Sequence, residues 1–309
     1  MANFNSKILL FGEYTILRGA VGLAIPYSAY SGELILPNNE SILSRKELDS
    51  NVVIKKLAIH LSHMEPFASN KHIDQFFEDA LLGLHFNSNI PKNYGVGSSG
   101  AMVAAIYKLY FANEYAELNH SVYSQIKNEL AAIESFFHGK SSGIDPLVSF
   151  LNKPTLINAP SNHLLYQFPE NIKVFLIDSN VPSKTIGLVD LFMEKCKTQE
   201  KEIISLILEN NRAIMSILEL NLDAFKRIKS FCNLEQKLLP EMFENSSEIV
   251  ELANQNVTNC CVKLCGSGDG GFLLCFAKSE YYHDISKLFD QKGYKTEAIL
   301  NRTDDLISL

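Results

Sequence analysis

Two stretches of the 309-residue chain satisfy the spacing GxGxxG, at Gly95, Gly97 and Gly100 and again at Gly266, Gly268 and Gly271. Glycines so spaced let a backbone approach a phosphate chain closely. In a dinucleotide-binding unit they follow a strand, open a helix and precede an acidic residue about 20 positions on. Neither stretch meets those conditions. Residues 87–92, before the first, are polar and contain Pro91, and Glu114 and Glu117 after it follow a helical pattern, while the second leads into the strand-like run 272–276. A P-loop is excluded at Gly139, Lys140 and Ser141, because Glu134 stands where its first glycine is required. The first stretch does offer small residues feeding a helix N-terminus, with the Ser98 and Ser99 hydroxyls in its first turn. Exposed N–H groups and the positive end of a helix dipole make such a turn an anion cradle; a tight turn packed on a neighbour is the plain alternative for one loop taken alone.

Three charged residues add chemistry to the loops. Lys7 heads an apolar run that ends in Gly12 and Glu13, Glu134 lies in an otherwise apolar helical stretch, and Asp145 closes a Gly- and Ser-rich turn over residues 138–145. Singly, they read as a strand-edge lysine, a buried glutamate with a basic partner, and a turn aspartate between Gly143 and Pro146.

The elements that must position these residues alternate in type along the chain. The pattern predicts strands at 8–11 and 32–36 around Gly12, Gly19 and Gly22, then two short helices within 51–84, separated by Pro66. Residues 98–111 read as a buried helix and 129–137 as a second, stopped by Gly139. After a proline-rich segment at 154–169, a strand at 173–177 precedes long helices at 186–218 and 233–253. Strands at 261–264 and 272–276, a helix at 281–291 and a last strand at 295–300 complete the chain, which shows no repeat of solenoid or propeller length.

Composition narrows the function classes. With 46% apolar and 20% charged residues, the chain has the make-up of an ordinary globular protein. A formal charge of −7 without any block of like charge argues against nucleic acid or an anionic membrane as partner. The longest stretch free of charged residues, 154–169, holds three prolines and cannot span a bilayer, and residues 1–6 do not form a signal peptide, so a cytoplasmic protein is expected. Six cysteines without CxxC spacing read as reduced, packed thiols, and eight histidines form no zinc motif.

The set of loops and charges, in this order, resembles the GHMP small-molecule kinases, and among them the mevalonate kinases. Pro91, Gly95, Gly97, Ser98 and Ser99 match positions of the family motif PxGxGLGSSA, and residues 7–19, KILLFGEYTILRG, resemble the lysine-led opening that runs into GEH. Glu134 and HGKSSGID through Asp145 resemble a glutamate followed by HGxPSGxD at the same spacing. Residues 176–189, with VPSKT, and 263–271, like KLTGAGGGG, complete five stretches in the family's order.

The resemblance implies an α+β GHMP kinase fold. An N-terminal domain like ribosomal protein S5 domain 2, with a left-handed βαβ crossover, would occupy 1–165 and a ferredoxin-like domain 166–309, with the active site between them. It implies Asp145 as the catalytic carboxylate, either a general base or the holder of Lys7, whose ammonium polarises the acceptor hydroxyl. Gly95, Gly97, Ser98, Ser99 and Gly100 would cradle the phosphates of ATP, and Glu134 with Ser98 or Ser99 would hold Mg²⁺. Glu13, Tyr14, Thr185, Gly266, Ser267 and Gly268 would serve the acceptor side, with Lys184 or Arg18 available to a substrate carboxylate. The implied acceptor is a small-molecule alcohol. Mevalonate, in isoprenoid precursor synthesis, comes first; phosphomevalonate or a sugar is the alternative, and a diphosphomevalonate decarboxylase or a non-catalytic ligand sensor stands behind them. A homodimer is left open. Departures fall at Tyr14, where the family has the histidine of GEH, at Asp269 inside the last glycine run, and at Ser6, Asn93, Gly100 and Cys265. Asp269 either faces solvent or completes a cation site.

Overall fold

The computed structural model describes residues 2–38, 42–113, 120–159, 167–183, 187–256 and 258–300. Mixed helices and antiparallel sheets make it an α+β protein. Its contacts divide it into two compact units: residues 1–7, 26–91 and 97–152 form the first, and residues 8–25, 92–96 and 153–309 the second. Two early segments, 8–25 and 92–96, thus group with the C-terminal half. No described helix is long and apolar enough to cross a membrane.

Strand β1 (Phe4–Phe11) and the long β2 (Gly22–Ile35) lie side by side in a four-stranded sheet. The end of β2 pairs antiparallel with β3 (His85–Ser88), Gly32 opposite Ser88, and its start pairs with β4 (Thr155–Ile157), Gly22 opposite Ile157. In the first unit, α1 (Arg45–Leu61) begins at a reciprocal cap, in which Ser44 accepts the Glu47 N–H and the Glu47 carboxylate accepts that of Ser44. It packs on β3 and on α2 (Ile73–Leu81), burying Ile54, Leu57 and Leu61. The centre of this unit is α3 (Ser98–Ile106), whose Gly100, Ala101, Ala104 and Ala105 are buried. Small side chains there admit α4 (His120–His138) and α5 (Ile144–Leu151) against it.

The second unit carries a fully antiparallel sheet in the order β6-β7-β5-β8, from Cys260–Leu264, Phe272–Lys278, Ile172–Asp178 and Thr296–Leu300. Residues 174–177 of β5 and 272–277 of β7 read as unbroken apolar runs because both faces are covered. Phe175 meets Tyr282 and Phe289 of α10 (Tyr282–Gln291), while Phe276, registered opposite Val174 and so on the other face, meets Phe11. Helices α6 (Leu188–Thr198), α7 (Glu200–Leu218), α8 (Ala224–Leu238) and α9 (Ser247–Gln255) complete the unit. All six cysteines are buried and unbridged.

Several elements differ from the sequence reading. Strand β2 starts ten residues before the predicted 32, since burial of Leu23, Ala24 and Ile25 outweighs the glycines and Pro26 around them. The helix expected over 186–218 breaks at Gln199, and the one expected over 233–253 is α8, a 3₁₀ segment Pro240–Ser246 started by its proline, and α9. Asp145, read as lying in a turn, is the second residue of α5, and Pro146 follows in the first helical turn, where a missing N–H costs nothing.

Candidate active site

In the first unit, α3 and α5 both begin after a glycine in the left-handed region, Gly97 at φ 75° and Gly143 at φ 71°, so neither N-cap residue supplies a side chain. A helix start of this kind presents backbone N–H groups to a negatively charged ligand, and at α5 the Ile144 N–H already donates to Ser142 Oγ at 3.4 Å. The two helices meet at their starts: a Cβ on Gly100 would lie 2.8 Å from the Asp145 carbonyl carbon and 2.9 Å from its Cβ. Asp145 Oδ1 lies 3.0 Å from Lys7 Nζ, with Lys7 buried and about a third of the Asp145 side chain (35%) exposed. The Lys7 stem runs along Gly97, where a Cβ would come within 2.9 Å of its Cγ. A buried ammonium paired with a partly exposed carboxylate leaves that carboxylate able to meet an incoming hydroxyl.

Glu134 is buried on α4, accepting hydrogen bonds from Ser99 Oγ at 3.4 Å and from Ser141 Oγ. Burial, and then the charge of Asp145, push its pKa up to about 7. A carboxylate so poised gains from a cation. Glu134 and the Ser99 hydroxyl are hard oxygen donors, as Mg²⁺ prefers, and no cluster of three or more His, Cys, Asp or Glu exists among the described residues. Such a pair fits a hydrated Mg²⁺ completed by phosphate oxygens. Ser98, also expected as a ligand, is partly exposed at the start of α3; the described contact to Glu134 comes from Ser99.

The second unit holds the other predicted residues. The two glycine loops pack backbone to backbone there: a Cβ on Gly95 would run into the Cys265 carbonyl, and one on Gly266 would stand 2.6 Å from Gly95 Cα. Glu13 and Tyr14 are buried, and their polar atoms go to the last loop and to Lys263 in the strand before it. Glu13 Oε2 pairs with Lys263 Nζ at 2.6 Å, its Oε1 accepts the Gly266 N–H at 3.2 Å, and Tyr14 donates its hydroxyl to the Ser267 carbonyl at 2.5 Å. Ser267 Oγ lies 2.9 Å from Ser183 Oγ, which also donates to the Gly268 carbonyl. The Asp269 carboxylate accepts from the side chain and backbone of Asn245, at 2.7 and 3.3 Å, which ties the loop to the segment Pro240–Ser246. Arg18 is exposed at the end of the 3₁₀ turn Thr15–Arg18, and Thr185 and Lys184 lie outside the described residues.

Sequence reasoning missed Ser141, Lys263 and Glu235. Lys263 is fully buried, and Glu235 accepts the Leu264 N–H at 3.0 Å while its other oxygen is buried without a hydrogen-bond partner among the described residues. Both carried a signal: a lone charge inside the apolar run CCVKLC, and a glutamate on the same helical face as Ile228, Phe231, Cys232 and Leu238.

Residues 55–153 match the family model of the GHMP kinases N terminal domain. Comparison with curated proteins finds no match. Among solved structures, the Methanococcus jannaschii mevalonate kinase superposes with a TM-score of 0.65 at 18% identity, covering 97% of this chain and 98% of that one. The L. major mevalonate kinase, solved with R-mevalonate, gives 0.64 at 16% over 94% and 91%. The Streptococcus pneumoniae phosphomevalonate kinase gives 0.57 at 13% over 96% and 98%.

Proposed function

We propose that this chain transfers the γ-phosphate of ATP to an alcohol, with mevalonate as acceptor and 5-phosphomevalonate as product, because residues 55–153 match the GHMP kinase N-terminal domain model and the fold is like that of mevalonate kinases. The observation that carries this reading is the Lys7–Asp145 pair, 3.0 Å apart, beside the uncapped start of α3. Asp145 takes the proton of the acceptor hydroxyl as its oxygen bonds to the γ-phosphorus, and the bond from that phosphorus to the β–γ bridging oxygen breaks to release ADP. Lys7 orients Asp145, and its ammonium lowers the cost of charge developing on the attacking oxygen. The first-turn N–H groups of α3 and the Ser98 and Ser99 hydroxyls receive phosphate oxygens. Glu134 and Ser99 hold Mg²⁺, which when bound neutralises phosphate charge. Gly266, Ser267 and Gly268 serve the acceptor.

The test is ADP release with mevalonate, phosphomevalonate and galactose side by side, for wild type and Asp145→Asn. Turnover with mevalonate, reduced about 10²–10⁴-fold by the substitution, is expected. Preference for either other alcohol reassigns the acceptor; no ADP from any of them refutes this reading and leaves a diphosphomevalonate decarboxylase or a ligand sensor.

A further inference from the structure

We propose that Glu13 and Tyr14 are positioning residues, a clamp that fixes the loop 265–271 in the shape the acceptor alcohol meets. The inference rests on the reading of that loop as the acceptor side of a GHMP kinase. Successive side chains of an extended strand point to opposite faces, so neighbours leaving a strand do not ordinarily reach one target. At the end of β1 they do. Tyr14 has φ 60° and ψ −45°, and the Thr15 N–H bonds the Glu13 carbonyl at 2.6 Å, a γ-turn of the rare positive-φ kind. For a bulky residue this is a strained conformation, and its result is that a carboxylate and a phenol are aimed at consecutive backbone groups of one loop. Glu13 accepts from the Gly266 N–H and Tyr14 donates to the Ser267 carbonyl.

The chemistry of each group fits a fixed role. Both Glu13 oxygens are engaged, one by the loop and one by the buried Lys263, which itself donates to the Leu264 carbonyl just before the loop. Tyr14 packs its ring on Phe192, 5.2 Å between centroids. Burial, with the charges of Glu13 and Glu235, raises its pKa far above the ordinary tyrosine value, so the phenol stays a donor. The loop needs such holding. Gly266, Gly268, Gly270, Gly271 and Asp269 all have positive φ, a backbone with much freedom to lose and little stiffness of its own. A loop ordered beforehand spares the acceptor that entropy, so the clamp acts on acceptor affinity.

Tyr14→Phe keeps the ring and removes only the hydroxyl. Its amides at 265–268 are expected to exchange hydrogen at least about fivefold faster than in wild type, with strands 260–264 and 272–278 unchanged. The KM for the acceptor should rise about five- to tenfold, with kcat within about twofold and the KM for ATP unaltered, a split that a general loss of stability does not produce. Wild-type exchange at 265–268 in the variant overturns the clamp, and faster exchange with an unchanged acceptor KM overturns its service to the acceptor. The wild-type protein gives a second reading independent of the variant's folding: a Gly266 amide that exchanges like an open loop defeats the proposal. A wild-type protein that turns over no alcohol defeats the kinase reading instead, and exchange then decides the clamp alone.

Discussion

Replacing Glu235 by Gln should abolish much of the pH dependence of stability between pH 5 and 8. Glu235 is buried on α8 beside Lys263, and burial is the main cause that carries its pKa from 4.5 to about 7; Glu13 adds to the rise, while Lys263 and the Leu264 N–H oppose it. A carboxyl whose folded pKa is raised binds its proton more tightly in the native state. Its stabilising contribution is therefore complete below the unfolded value and is lost as pH climbs through the folded one. Over that window, from 4.5 to about 7, each pH unit removes about 1.4 kcal/mol, or about 3 kcal/mol in all. Glutamine mimics the protonated carboxyl, keeps an acceptor for the Leu264 N–H and does not titrate. Relative to wild type, Glu235→Gln should gain about 3 kcal/mol on going from pH 5 to pH 8, a relative urea-midpoint shift of about 1 M for m near 3 kcal/mol/M. Glu134 titrates in the same range in the ligand-free protein, but it is common to both proteins and drops out of the difference. Urea midpoints measured from pH 5 to 8.5 check this, and parallel curves for the two proteins would refute the reasoning.

Gly100→Ala restores the alanine of the resembled motif, yet here its Cβ would press on Asp145 and Pro146 at 2.8–2.9 Å. It should cost about 1–3 kcal/mol in stability and lower kcat about tenfold through displacement of Asp145, read by thermal melting and ADP release. Unchanged values would mean that α3 and α5 adjust freely. Glu134→Gln should raise the Mg²⁺ concentration for half-maximal ADP release by about tenfold or more, checked by titration of the metal at fixed ATP; an unaltered requirement would remove Glu134 from the cation.

The amino-acid sequence alone determined the elements whose signals are local. The strands at 173–177, 261–264 and 272–276 and the buried helix after Ser98 were legible, because apolar periodicity and small residues record burial directly. It also marked Lys7, Ser99, Glu134 and Asp145, whose types and order speak of phosphoryl transfer, and these are brought together in one unit. Only the tertiary structure decided which partner each polar atom takes. Glu13 and Tyr14 follow the strand predicted at 8–11, and nothing in their types tells that a positive-φ turn sends both to residues more than 250 positions away. Gly95 reads as part of a phosphate cradle and Gly266 as part of the acceptor side, and nothing in their types tells that the two backbones pack too closely for a Cβ on either. Hydrogen bonds and close packing are set by distances in space. Spacing along a chain records those distances only within a helix or strand, and between elements far apart in sequence they appear only when the fold closes.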